Sequence, residues 1–176
     1  MTLRTHTFRR RVSAVFIAAA SLVLAAAISS AQTEPAPAAG IRVSGEVSHP
    51  LTLQMADLAA IPHHSVSVSG KHGAARYQGV AVVDLLRRAG APLGAQLRGP
   101  KMRLYVLVKG RDGYAAVFAL AEFDPAFTSR VILLADQRDG RPLGTVEGPL
   151  RIVVPDEQRY ARWVRQVTDI EVGTAQ

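Results

Sequence analysis

The stretch Tyr77-Gln78-Gly79-Val80-Ala81-Val82-Val83-Asp84-Leu85-Leu86-Arg87-Arg88-Ala89-Gly90 carries the clearest local signal in the chain. Val82, Leu85, Leu86 and Ala89 follow the i, i+3, i+4, i+7 spacing of one helix face. Gly90 then supplies the residue that commonly closes a helix in the left-handed conformation. The spacing predicts a helix over residues 80–89. Upstream the period changes to two: Val66 and Val68 alternate with Ser65, Ser67 and Ser69, as in a strand with one buried face. That strand, His64 to Ser69, ends in a Gly70-Lys71-His72-Gly73 loop. Nearer the N-terminus, Ile41 to Val47 alternates in the same way and His49-Pro50 turns the chain. Met55 to Ala59 takes helical spacing until Pro62 stops it.

Downstream, Met102 to Lys109 reads as a central strand and Tyr114 to Ala119 as its hairpin partner. Ala121 to Phe127 reads as a short helix and Val131 to Ala135 as a buried strand. Asp139-Gly140-Arg141-Pro142 is turn chemistry, and Leu150 to Val154 and Val164 to Val172 are the last strands. Strands joined mostly by turns, with three short helices as brief crossings, argue for a single, strand-rich, mixed α+β domain. They argue against a doubly wound parallel sheet.

The ends bound where such a domain works. Arg4, Arg9, Arg10 and Arg11 precede an apolar run from Val12 to Ile28, and Ser29-Ser30-Ala31 places small residues at a cleavage site. This is the three-part layout of a secretory signal peptide, with cleavage after Ala31 and export of the domain. The twin arginine leaves the choice between the general and the twin-arginine export route open. Residues 32–40, rich in Pro and Ala, read as a flexible linker, residues 41–172 as the domain, and 173–176 as a tail. Removing residues 1–31 takes four arginines and no acid, so the formal charge falls from +7 to +3. The remaining arginines are scattered among acids, which counts against a nucleic-acid partner. The chain has no cysteine, hence no disulfide, no thiolate nucleophile and no thiolate metal ligand.

No Walker loop, dinucleotide fingerprint, zinc-protease motif or nucleophile elbow occurs, and no catalytic residue is assigned. His63 and His64 are neighbours on a strand and point to opposite faces, which counts against a shared metal ion; no metal site is assigned. His72 sits in a loop that could overhang a pocket. Polar groups near strand ends carry more weight: Asp112 with Tyr114, Glu122, Arg151, and the run Arg159-Tyr160-Ala161-Arg162-Trp163. The only tryptophan, with Arg162 before it, offers a flat face with cation-π support, or equally a core anchor.

Taken in order, Ser44-Gly45-Glu46-Val47 with Pro50 and Leu53, Tyr77-Gln78-Gly79-Val80 with Asp84-Leu85-Leu86 and Ala89-Gly90, Asp112-Gly113-Tyr114, Gly148-Pro149-Leu150-Arg151 and Arg162-Trp163-Val164 form a familiar series. The chain from about Ile41 to Val172 resembles the sulfite-oxidase-like, molybdopterin-binding oxidoreductase fold. In enzymes of that family a cysteine after an early strand coordinates molybdenum. The matching stretch here, Val66 to Ala75, has none, and serine is a harder, poorly ionised substitute.

The resemblance therefore implies the pterin-holding shell without its metal ligand. Small cysteine-free members look like periplasmic proteins that bind a reduced, metal-free pterin. They respond to it by contacting the periplasmic part of an inner-membrane enzyme of cyclic di-GMP signalling. A pterin needs flat partners, a carboxylate for its paired N–H donors and guanidinium groups for its carbonyl oxygen. On the matching motifs, Trp163 and Tyr114 are the stacking candidates, Asp112 or Glu122 the carboxylates, and Arg151, Arg162 and Arg76 the donors, with His72 beside them. Two alternatives stand: a small molybdopterin-dependent oxidoreductase lacking the cysteine ligand, and a cofactor-free interaction module.

Overall fold

A computed structural model of the chain describes residues 40–70 and 73–176. The expected signal peptide, residues 32–39 of the linker, Lys71 and His72 lie outside the described residues.

Among the described residues, ten strands and two short α-helices build two sheets around one core. The first sheet is ordered β2-β1-β10-β5-β6: β2 is Leu51–Gln54, β1 Gly40–Gly45, β10 Val167–Thr174, β5 Leu104–Gly110 and β6 Ala115–Ala119. Only the β1–β10 pair is parallel in this sheet, which joins the two ends of the domain side by side. The second sheet is ordered β3-β4-β7-β8, with β3 at His63–Gly70, β4 at Gly73–Ala81, β7 at Leu133–Arg138 and β8 at Arg141–Pro142. β9, Arg151–Val153, pairs with β7 as well. The helices are α1, Met55–Ala59, and α2, Val82–Arg88.

Alternation places the core. Along β5, Leu104, Val106 and Val108 are buried while Tyr105, Leu107 and Lys109 are half-buried on the other face. The facing residues Val43, Ile170, Val172 and Phe118 complete that layer, and Leu134, Ile152, Leu85 and Leu86 meet it from the second sheet and α2. Burying a side chain of this size is worth about 1.5–3 kcal/mol relative to leaving it exposed.

Several expectations need adjusting. Val80 and Ala81 belong to β4, so the helix begins at Val82; their alternation continues a strand that pairs with both β3 and β7. Gly79 is needed there because a Cβ would lie 2.2 Å from the Leu134 carbonyl oxygen. Residues 121–127 do not form an α-helix. Leu120–Phe123 is a 3-10 turn whose start is capped by Glu122, which accepts the Ala119 N–H at 3.0 Å. Asp124, buried beneath, accepts the Gly94 and Ala126 N–H groups, which ends the turn. Leu51–Gln54 is a strand and not merely a lead-in to α1, and β10 continues to Thr174. The Asp139-Gly140 turn stands as read: both residues have positive φ, 51° and 75°, as the two-residue hairpin between β7 and β8 requires.

Candidate functional site

Strands of the second sheet and the segment before β10 bring one aromatic and guanidinium cluster together. Trp163 is 4% exposed, and its indole Nε1–H has no hydrogen-bond partner among the described residues. The Tyr160 ring stacks on it with centroids 4.1 Å apart, and Tyr77 from β4 meets it edge-on at 5.7 Å. The Arg151 guanidinium carbon lies 5.3 Å from the Trp163 centroid, and that of Arg138 lies 5.7 Å from Tyr77.

Arg151 is 9% exposed and donates from Nη1 to the Glu147 carboxylate at 2.5 Å, while its buried Nε–H is left without a partner. Arg138 reaches the same carboxylate at 4.0 Å. Arg138 also lies 3.5 Å from Asp139, so the two guanidiniums stand against two carboxylates, Glu147 and Asp139. Burial pushes the Tyr77 phenol above its ordinary pKa against the pull of Arg151 and Arg138, so at neutral pH it keeps its proton. Two buried N–H donors without acceptors among the described residues, beside two guanidiniums, suit the oxygens of a planar polar heterocycle; leaving each unpaired costs about 1–3 kcal/mol. A cleft of about 620 Å³, within the size range of small-molecule sites, is lined by Arg138, Asp139, Arg141, Leu143, Thr145 and Glu147; Trp163, Arg151, Tyr77 and Tyr160 are not among its walls.

A second cluster adjoins the first through the 3-10 turn Tyr160–Arg162. Arg162 donates from Nε to Glu157 at 2.7 Å and from Nη1 to both Glu122 oxygens at 3.1 and 3.0 Å. Its guanidinium lies over the Phe118 ring at 4.5 Å. Burial alone would lower the Arg162 pKa, and the bonds to Glu157 and Glu122 outweigh it, so the value is raised. Glu157 Oε2 is buried without a partner. The Tyr114 hydroxyl donates to the Ala161 carbonyl at 2.6 Å, and Asp112 accepts the Tyr114 N–H at 3.0 Å, closing the β5–β6 turn.

The candidates chosen from sequence therefore fall in three places. Trp163 and Arg151 stand together in the first cluster. Arg162, Glu122, Tyr114 and Asp112 stand in or beside the second, where Glu122 and Arg162 are bonded to each other. Arg76 lies apart, on the opposite face of β4 from Tyr77, with Nη2 donating to Ser65 Oγ at 3.2 Å. His72 lies outside the described residues. Tyr160 covers one side of Trp163, which offers its N–H more than an open ring. His63 and His64 diverge as read, to Asp136 at 3.0 Å and Asp84 at 3.2 Å.

Sequence reasoning missed Tyr77, Arg138 and Glu147 as site residues and quoted Tyr160 only as part of a run. Tyr77 was visible as the first residue of the helix-leading motif. Arg138 and Glu147 had no signal of their own, because only the β7–β8 hairpin and the loop after it bring them to Arg151.

Residues 34–176 match the family model described as the oxidoreductase molybdopterin binding domain, and the chain belongs to that family. The fold it defines is that of the sulfite-oxidase-like proteins. Among solved structures the chain is similar to the sulfane dehydrogenase SoxCD from Paracoccus pantotrophus, with a TM-score of 0.60 and 19% sequence identity. The likeness covers 76% of this chain and 37% of that one, so this chain spans well under half of it. No curated protein matches the chain.

The family implies a molybdopterin, whose two parts make different demands. The organic pterin fits the residues present: two buried donors lack acceptors beside two guanidiniums and a neutral phenol. The molybdenum does not fit. The chain has no thiolate to offer, and among the described residues no three His, Asp or Glu side chains converge as ligands. Hard oxygen donors are poor substitutes for the sulfur that holds such a metal.

Proposed function

We propose that this domain binds a reduced pterin through its organic part, without molybdenum, and acts as a ligand-responsive protein. The observation that carries the proposal is the pair of orphaned buried donors, Trp163 Nε1–H and Arg151 Nε–H, in a family whose domain binds a molybdopterin. Arg151 and Arg138 serve the carbonyl oxygen of the ring, and Glu147 is placed to accept from its aminopyrimidinone N–H groups. The exposed ring of Tyr160 offers the stacking face. This moves the carboxylate role from Asp112 or Glu122 to Glu147, which stands beside Arg151 and is bonded through Oε1 alone, whereas both Glu122 oxygens are engaged by Arg162 and Asp112 closes the β5–β6 turn.

The setting we propose is the periplasm, reached with the N-terminal signal segment. The partner we propose is the periplasmic part of an inner-membrane enzyme of cyclic di-GMP signalling, whose activity the pterin-loaded protein biases. The second reading, a molybdopterin-dependent oxidoreductase, is favoured by family membership and opposed by the missing thiolate. Anaerobic calorimetric titration of the ligand-free protein with a tetrahydropterin tests the first reading. Saturable binding at one site, weakened in Arg151→Met, is expected. Absence of binding to the free pterin, with tight binding of intact molybdopterin, would overturn it.

A further inference from the structure

Strand β3 is an edge of the second sheet: β4 pairs with one side, and among the described residues no strand pairs with the other. Its open backbone groups can be assigned. The Arg76 N–H donates to Asp139 Oδ1 and the Arg76 carbonyl accepts the Asp139 N–H, both at 2.8 Å, so Arg76 turns its backbone away from β3. Its cross-strand neighbour Ser67 is therefore in a non-hydrogen-bonded pair. By alternation Ser65, Ser67 and Ser69 point their N–H and C=O outward, while Val66 and Val68 point theirs toward β4.

Natural edges are usually blunted by charge, proline or a bulge. Residues 65–69 hold neither a charge nor a proline, and the pairing with β4 runs from His63 to Gly70 without a register shift. Val68 is buried and Val66 half-buried on one face, and the serines stand exposed on the other. Over that seryl face leans Arg76, reaching Ser65 Oγ and making no ion pair among the described residues.

We propose that β3 is a docking edge for an extended segment of another protein, which adds a strand to the second sheet. Acidic residues of that segment lie on the seryl face under Arg76, and apolar ones lie beside Val66. Main-chain bonds to Ser65, Ser67 and Ser69 hold it, and alternate side chains select it. A second copy of this chain is the poorer occupant. The palindrome Ser65-Val66-Ser67-Val68-Ser69 permits self-pairing, but a two-fold axis at Ser67 brings two Arg76 guanidiniums to one seam with no acid between them.

The probe is a fluorescein-labelled peptide of alternating valine and glutamate, followed by anisotropy against the whole protein, with three controls: its backbone N-methylated form, a valine–lysine peptide, and the Ser67→Pro variant. Ser67→Pro removes an outward N–H and no ladder bond, so the fold persists. Saturable binding is expected, weakened about tenfold or more by N-methylation or by Ser67→Pro, with Arg76→Glu reversing the preference toward the lysine peptide. Where Ser67→Pro lowers the unfolding midpoint, the N-methylated peptide and Arg76→Glu decide alone. Equal binding of the N-methylated peptide, or no binding, would overturn the proposal. So would a dimer in sedimentation that Ser67→Pro dissociates.

Discussion

Replacing Trp163 by Phe separates a ligand-binding donor from an ordinary core residue. In the ligand-free protein the change has two opposed effects. The smaller ring leaves a gap of a few tens of Å³, which at about 24 cal/mol per Å³ costs about 1 kcal/mol. Against this, the substitution removes a buried N–H that has no partner, relieving about 1–3 kcal/mol. The Tyr160 stack and the Tyr77 edge contact both persist against a phenyl ring. Trp163→Phe is thus expected to leave ligand-free stability unchanged or raised by up to about 2 kcal/mol. The same change deletes a donor to the ligand and weakens pterin binding by about tenfold, the equivalent of about 1.4 kcal/mol. Urea unfolding read by circular dichroism gives the first quantity and anaerobic titration the second. A loss of about 1 kcal/mol or more in ligand-free stability, the cavity cost with no unpaired donor relieved, with affinity unchanged, would show that Trp163 is only a packing anchor.

Arg162→Met leaves Glu122 and Glu157 facing each other without a cation. With the guanidinium side chain 33% exposed, the expected loss is about 1–2 kcal/mol at neutral pH after allowing for solvent screening. Protonating the carboxylates should shrink the loss, as unfolding midpoints at neutral and acid pH will show. The His63 pKa is raised above 6.5, chiefly by its bond to Asp136. Its contribution to stability is therefore full below pH 6.5 and is lost as pH rises through the folded-state value. His63→Gln should flatten that part of the pH–stability curve measured by urea titration. Gly79→Ala forces a Cβ against the Leu134 carbonyl oxygen and the Ala135 Cα, neither of which can yield, and should cost about 3 kcal/mol or more in thermal or urea unfolding. The mature protein isolated from its own host should begin at Gln32, which intact-mass measurement checks.

What the sequence disclosed and what it withheld divide along one line. Alternation and helical stripes are local, so the Val66–Val68 face, the Val82–Leu85–Leu86 face and the Asp139-Gly140 turn could be read directly. The start of α2 was misplaced because Val80 and Ala81 satisfy either period, and only their pairing with Leu134 and Leu133 decides for a strand. The missing helix at 121–127 has a similar cause: Asp124 spends its carboxylate on the Gly94 and Ala126 N–H groups, a contact across 30 residues in one case. At the site, Trp163 and Arg151 were legible through their motifs. Tyr77, Arg138 and Glu147 were not, since β4, β7 and the loop after β8 meet only in the folded sheet.

The central claim is that the site holds a pterin and no metal. Protein purified anaerobically from its own host, denatured, and assayed by mass spectrometry for released small molecules and for molybdenum on the same sample tests it most directly. One pterin per chain with no molybdenum is the predicted result. Molybdenum at one per chain would contradict it and make the domain an oxidoreductase that holds its metal without sulfur from the protein.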